Sequence, residues 1–143
     1  MKICSFGKVA LGEGAVYSFT LFESKYLFSI IFYWWKTIDQ VRFHTHAFAA
    51  IAFLLSGSYV EDRIVDGQIE ENNVNQWLWP RYLPRNYTHK IKKAAPRTLT
   101  MVITGPWQKH WYEYFEDTRQ WIKYGWGREK LDYHYGGPKR KLF

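Results

Sequence analysis

Cysteine is nearly absent: Cys4 is the single one in 143 residues. That excludes an intrachain disulfide and fits a reducing compartment, so a cytoplasmic location is expected. Long hydrophobic runs are also missing. The longest apolar stretches, 27–35 (broken at Ser29) and 47–55, span nine residues each, whereas a membrane-spanning helix needs about 20, and no membrane partner is expected. Lys8 and Glu13 interrupt the first residues where a signal peptide would need an apolar segment. There is no glycine-rich phosphate loop, nucleophile elbow, clustered carboxylate pair, internal repeat or Pro/Ser-rich linker.

Aromatic residues, in contrast, are abundant: Phe, Tyr and Trp make up 20% of the chain, within 47% hydrophobic residues and 23% charged ones. Such a composition excludes a disordered tail. At roughly 150–250 Å² of burial per aromatic, it supplies a core for one compact domain over 1–143. The net charge of +7 is unevenly spread. Residues 1–79 carry six basic and eight acidic side chains, net −2, and residues 80–143 carry fourteen and five, net +9. A basic half of this kind keeps a nucleic-acid partner in view, although charge runs are usually solvated faces and no nucleic-acid-binding signature accompanies them. Trp77, Trp79, Trp107, Trp111, Trp121 and Trp126 are read as core in preference to base-stacking platforms.

The pattern of short segments between turn residues indicates an all-β fold. Residues 97–104 (RTLTMVIT) alternate β-branched and other residues and stop at Gly105-Pro106. Residues 87–93 place Tyr87, His89 and Ile91 on one face. Residues 58–65 lead into the hairpin signal Asp66-Gly67, 68–75 read as a polar loop, and 77–83, 111–115 and 121–124 read as strands. Residues 41–55 form one apolar strand or a bent strand pair ending at Ser56-Gly57-Ser58. Residues 17–36 fit either strands or a helix.

His44 and His46 stand two apart in the segment 41–55, so both imidazoles lie on one strand face, about 7 Å apart along it, and can converge on one ion. Arg42, Phe48, Ala50 and Ala52 share that parity, the alanines leaving room above the pair. His89 sits on a second strand; three neutral imidazoles would leave a divalent cation with open positions for water or an anion. Arg42, Arg81, Arg85 and Arg97 are candidates for holding a carboxylate or phosphate. Tyr59 and Glu61 share a face after Gly57, and Glu61 suits either a general base or a group orienting a ligand imidazole. Cys4, His110 and His134 have no spacing partner.

His44-Thr45-His46 followed by an apolar strand and Gly57 resembles the first cupin motif, with Ala50 in the position of its Glu. Pro84, Asn86 and His89 fit the second motif, with Leu78 and Lys93 departing from it. GSYVE at 57–61 and TLTMVITGP at 98–106 followed by Trp111 are similar to small cupins of phages and bacteria, over a motif core of 41–115. The resemblance implies a cupin-type double-stranded β-helix, a jelly-roll barrel with extra N- and C-terminal segments, with His44, His46 and His89 as metal ligands. The missing Glu at Ala50 makes the site similar to the three-histidine centre of thiol dioxygenases, which favours Fe(II), with Zn, Mn or Ni suiting other chemistries. The expected function is a metal-binding cupin acting on or binding a small anionic or polar molecule; a non-catalytic cupin sequestering a metabolite or nucleotide is the alternative. Cupins commonly dimerise, so a homodimer is a further expectation.

Overall fold

A computed structural model describes residues 1–11, 14–37, 42–125 and 130–135, and every regular element among them is a strand. The order is β1 (Lys2–Leu11), β2 (Gly14–Glu23), β3 (Ser29–Thr37), β4 (Phe43–His44), β5 (Ala50–Ser56), β6 (Tyr59–Val65), β7 (Gln68–Val74), β8 (Arg81–Leu83), β9 (His89–Ala94), β10 (Thr98–Thr104), β11 (His110–Phe115), β12 (Gln120–Gly125) and β13 (Lys130–Tyr135). They form two sheets, β1-β2-β3-β10-β5-β8 and β13-β12-β11-β4-β9-β6-β7, and every strand pairing is antiparallel. Among the described residues no helix is long and apolar enough to cross a membrane.

Alternation sets the packing. On the inner face of the six-stranded sheet Val16, Trp35 and Leu54 meet Tyr59, Val74 and Ile91 of the other sheet, while Ala50, Ala52 and Leu83 form a second buried cluster. Some polar groups between the sheets are paired: Trp35 Nε1 donates to Thr100 Oγ1 at 3.1 Å, and the Thr98 hydroxyl is shared between the carbonyls of Ser58 and Ala95. Such pairing offsets the cost of burying these groups.

Several expectations need correction. Residues 68–75 are a strand, β7, paired with β6 across the Asp66-Gly67 turn, where both residues have positive φ as a two-residue hairpin requires. β7 lies at the sheet edge and most of its side chains face solvent, so it lacks an apolar face. In 77–83 only Arg81–Leu83 is strand; Trp77 makes an isolated bridge to Leu54, and Leu78 has positive φ. Trp77 and Trp79 are exposed on that connection, not core, whereas Trp121 is buried and Trp107 and Trp111 are partly so. Trp126 lies outside the described residues, as do the side chain of His134 and the basic end of the chain. Residues 17–36 belong to two strands joined at 24–28, and 41–55 to two strands in different sheets.

Gly57 makes the crossing from β5 to β6. Its φ is +75°, and a Cβ there would stand 2.6 Å from Thr98 Cα. Neither the conformation nor the space suits an L side chain. Gly57→Ala is expected to destabilise the chain by about 2 kcal/mol or more, read as a lower urea midpoint with an unchanged slope; an unshifted midpoint would refute this account.

Candidate metal centre

β4 is two residues long because the chain leaves the sheet after His44. Thr45 fixes that exit: its N–H donates to the Tyr112 carbonyl at 2.8 Å and its Oγ1 accepts from the Tyr112 N–H at 2.9 Å. His44 stays in the sheet, with His89 of β9 as its register partner on one side and Glu113 of β11 on the other. His46, just past the strand, has its N–H on the Arg85 carbonyl. The bend draws His44 and His46 to 5.1 Å between ring centroids, with His89 4.8 Å from His44 and 5.1 Å from His46. The three rings offer ligand atoms that all lie within 4.8 Å of one another, and the Nε2 atoms of His46 and His89 face each other at 3.0 Å.

Ala50 and Ala52 do not stand above the histidines on one continuous strand. They lie across the interior on β5, packed on Leu83 with Phe48, Tyr87 and Val102 around them. Phe48 stacks on His46 at 5.4 Å, and Tyr87 meets the His89 ring edge-on at 5.1 Å.

Glu61 is fully buried behind His89. Its Oε2 is 2.7 Å from His89 Nδ1, while Oε1 accepts from Asn72 Nδ2 at 2.9 Å, Arg81 Nη2 at 2.5 Å and the Tyr87 hydroxyl at 2.7 Å. Arg81 also donates to the Tyr59 hydroxyl. Burial alone would raise the Glu61 pKa, but the His89 hydrogen bond and charge, with Arg81 and Tyr87, hold it well below the usual carboxylate range. Burial pushes the Tyr59 hydroxyl up, and burial with the Glu61 charge pushes Tyr87 up to about 12. Both tyrosines therefore keep their protons at neutral pH. Glu61, as an anion, accepts the Nδ1–H of His89 and so fixes the ring with Nε2 directed toward His46. Burial, and then the charges of His44 and His89, drive the His46 pKa well below its ordinary value, so the His46 ring is neutral at neutral pH.

This donor set fits a divalent metal ion. Two imidazole nitrogens 3.0 Å apart need a proton or a cation between them.

Beside the histidines a shallow, solvent-open depression is lined by Thr45, His46, Arg85, Asn86, His110, Trp111 and Tyr112. Arg85 Nε and His110 Nε2 are buried there without a hydrogen-bond partner among the described residues. Burial, then the positive charges of Lys123 and Arg85, lower the His110 pKa, which marks the depression as electropositive.

The structure thus brings His44, His46, His89 and Glu61 together, with Tyr59 joined through Arg81 and Arg85 on the depression beside His46. Arg42 stands at the rim, half exposed, 3.6 Å from Glu113 and 4.2 Å over the Phe115 ring. Arg97 lies in the exposed turn before β10, where its carbonyl accepts from Ser56 Oγ. That is the far end of β5, about 20 Å along the strand from Ala50. Asn72 and Glu113 were not among the candidate residues. Glu113 shares its sheet face with His44, and its only signal in sequence is alternation along β11.

No protein-family model matches the chain, and no curated protein sequence matches it. Solved structures do. Oxalate decarboxylase from Bacillus subtilis superposes with a TM-score of 0.51 at 16% identity, over 71% of this chain and 27% of that one. KdgF from Halomonas sp. gives 0.50 at 11% identity over 70% and 87%. Hydroxypropylphosphonic acid epoxidase from S. wedmorenis gives 0.52 at 11% identity over 73% and 59%. The chain spans about a quarter of the length of the oxalate decarboxylase, a protein with Mn(II) centres. The shared fold is the cupin jelly roll, all-β with two antiparallel sheets, and its interior here carries a three-histidine group able to hold a divalent metal.

Proposed function

We propose that the chain binds one divalent transition-metal ion through His44, His46 and His89, and takes a small carboxylate- or phosphate-bearing molecule at the positions they leave open. The observation that carries this reading is the convergence of three imidazoles, one of them fixed from behind by a buried, ionised Glu61. The Mn(II) centres of the oxalate decarboxylase of like fold support a metal in such a scaffold. Fe(II) is preferred, because imidazole nitrogens suit it and the three-histidine set is similar to that of the thiol dioxygenases. The ion would supply Lewis-acid or redox chemistry to a bound anion.

The chain's own residues have separable tasks. His89 is held in one orientation by Glu61, which is a positioning residue because its oxygens are already engaged by four neighbours. Arg85 supplies positive charge and an unpaired Nε–H for the anionic group, with the unpaired Nε2 of the neutral His110 ring beside it. Phe48 and Tyr87 limit ring motion and exclude water from the interior.

Metal analysis after loading with Fe(II) and, separately, Mn(II) and Zn(II) tests the proposal. One equivalent per chain is expected for the native protein, and none for the combined His44→Ala/His46→Ala/His89→Ala variant. Equal metal content in the two proteins would refute it.

A further inference from the structure

Trp77, Leu78 and Trp79 stand in the connection between β7 and β8 with 62%, 68% and 64% of their surface exposed, and Tyr82 of β8 is 68% exposed. At roughly 150–250 Å² per aromatic, the three rings present on the order of 400 Å² to solvent, an area at which exposed apolar surface on a monomer is often functional. The segment is nevertheless held in place. Trp77 bridges Leu54 of β5, the Leu78 N–H donates to the Leu54 carbonyl at 2.8 Å, and the indole Nε1 of Trp77 donates to the Gly57 carbonyl at 2.8 Å. Leu78 has a φ of +59°, a conformation that bulky residues rarely adopt, and Pro80 disfavours the helical region for Trp79.

The chemistry around these rings is uncharged. No ionisable side chain occurs from Asn72 to Pro80, and Arg81 turns inward to Glu61 and Tyr59. Asn75 and Gln76 are exposed beside the tryptophans. Phosphates of a nucleic acid or of an anionic lipid would find no cation on this segment. The Trp77 N–H, the polar end that anchors a tryptophan at a membrane surface, is already engaged, so the ring offers only its π faces.

We propose that the segment 75–82 is a binding site for a neutral oligosaccharide. The electron-rich face of an aromatic ring attracts the C–H face of a pyranose, and carboxamides, which donate and accept side by side, match its vicinal hydroxyls. Trp77 and Trp79 supply the first property, Asn75 and Gln76 the second. Trp77 lies beside Leu54 and Tyr82 beside Ile51, a separation along β5 of about 10 Å, which spans more than one ring of a sugar chain. Rings and backbone already fixed in place lose little freedom on binding. A proline-rich peptide also docks on aromatics, but it has no hydroxyls to occupy the exposed amides. His44 and His89 lie on the other sheet, so this site is separate from the metal centre.

Isothermal titration of the full chain with cellohexaose, maltohexaose and chitohexaose tests the inference. At least one of them is expected to bind with a Kd of about 1 mM or tighter. Trp79→Ala and Tyr82→Ala are each expected to weaken that binding at least about tenfold, with the far-UV circular dichroism and metal content of the native chain. Absence of binding to all three sugars, variants that bind as tightly as the native chain, or binding of a decaproline peptide or of zwitterionic vesicles in place of the sugars would overturn the proposal.

Discussion

Alanine at position 89 is expected to reduce bound metal from one equivalent per chain to less than about a tenth, the largest single-residue effect in the molecule. His44 and His46 each offer a nitrogen, but His89 connects the whole arrangement. It is the register partner of His44, its Nε2 faces that of His46 at 3.0 Å, and its Nδ1 meets Glu61 at 2.7 Å. Its removal takes away a ligand and also the group through which the buried carboxylate acts on the site. His44→Ala, by contrast, leaves the His46–His89–Glu61 line intact, and a smaller loss of affinity is expected. Metal content by mass spectrometry, with competition against a chelator of known affinity, ranks the two variants. A His89→Ala protein that retains a full equivalent would remove His89 from the centre and leave the three-histidine account without its middle member.

The strands were legible where one face is buried and the other is not. Residues 98–104 alternate Thr98, Thr100 and Thr104, all buried, with half-covered Leu99, Met101 and Ile103, and the period survives in the sequence. β2 and β3 do not show it, because both faces are apolar: Val16, Ile31 and Trp35 point inward while Phe19, Phe32 and Trp34 line the outer face. β7 fails for the opposite reason, since solvent reaches both sides of QIEENNV. The two segments that periodicity could not read are thus the doubly apolar pair and the solvent-exposed edge strand.

The site was readable in part, for a similar reason. His44, His46 and His89 have a local spacing that the cupin resemblance turns into a set. The partners of Glu61 have none: Asn72 comes from β7, Arg81 from β8 and Tyr87 from the turn before β9, and only the fold assembles them. Arg81, a candidate for holding substrate in sequence, is committed to Glu61 and Tyr59. Where the cupin motif has Glu, this chain has Ala50 in an apolar cluster, and the carboxylate of the centre instead stands behind a ligand, at Glu61.

Glu61→Gln is therefore expected to do two things at once. The substitution keeps the shape but removes the charge from a fully buried group that pairs Arg81 at 2.5 Å and His89 at 2.7 Å. Breaking such a buried pair from one side costs about 3–5 kcal/mol, because the remaining cation is left without its counter-charge. Losing the anion behind a ligand imidazole weakens metal binding by about 10–100-fold. The pH dependence separates this charge effect from a packing effect. The Glu61 carboxyl is depressed in the folded chain below its ordinary value of 4.5. Its contribution is therefore complete above about pH 4.5, where the unfolded carboxyl is ionised, and is lost as pH falls toward the depressed folded value. Urea denaturation in the presence of a chelator should show the native chain well above the variant at pH 7, with the gap narrowing as the solution is acidified below pH 4.5. A gap of constant size across that range would mean that Glu61 acts through packing alone, and the electrostatic support of His89 would have to be abandoned.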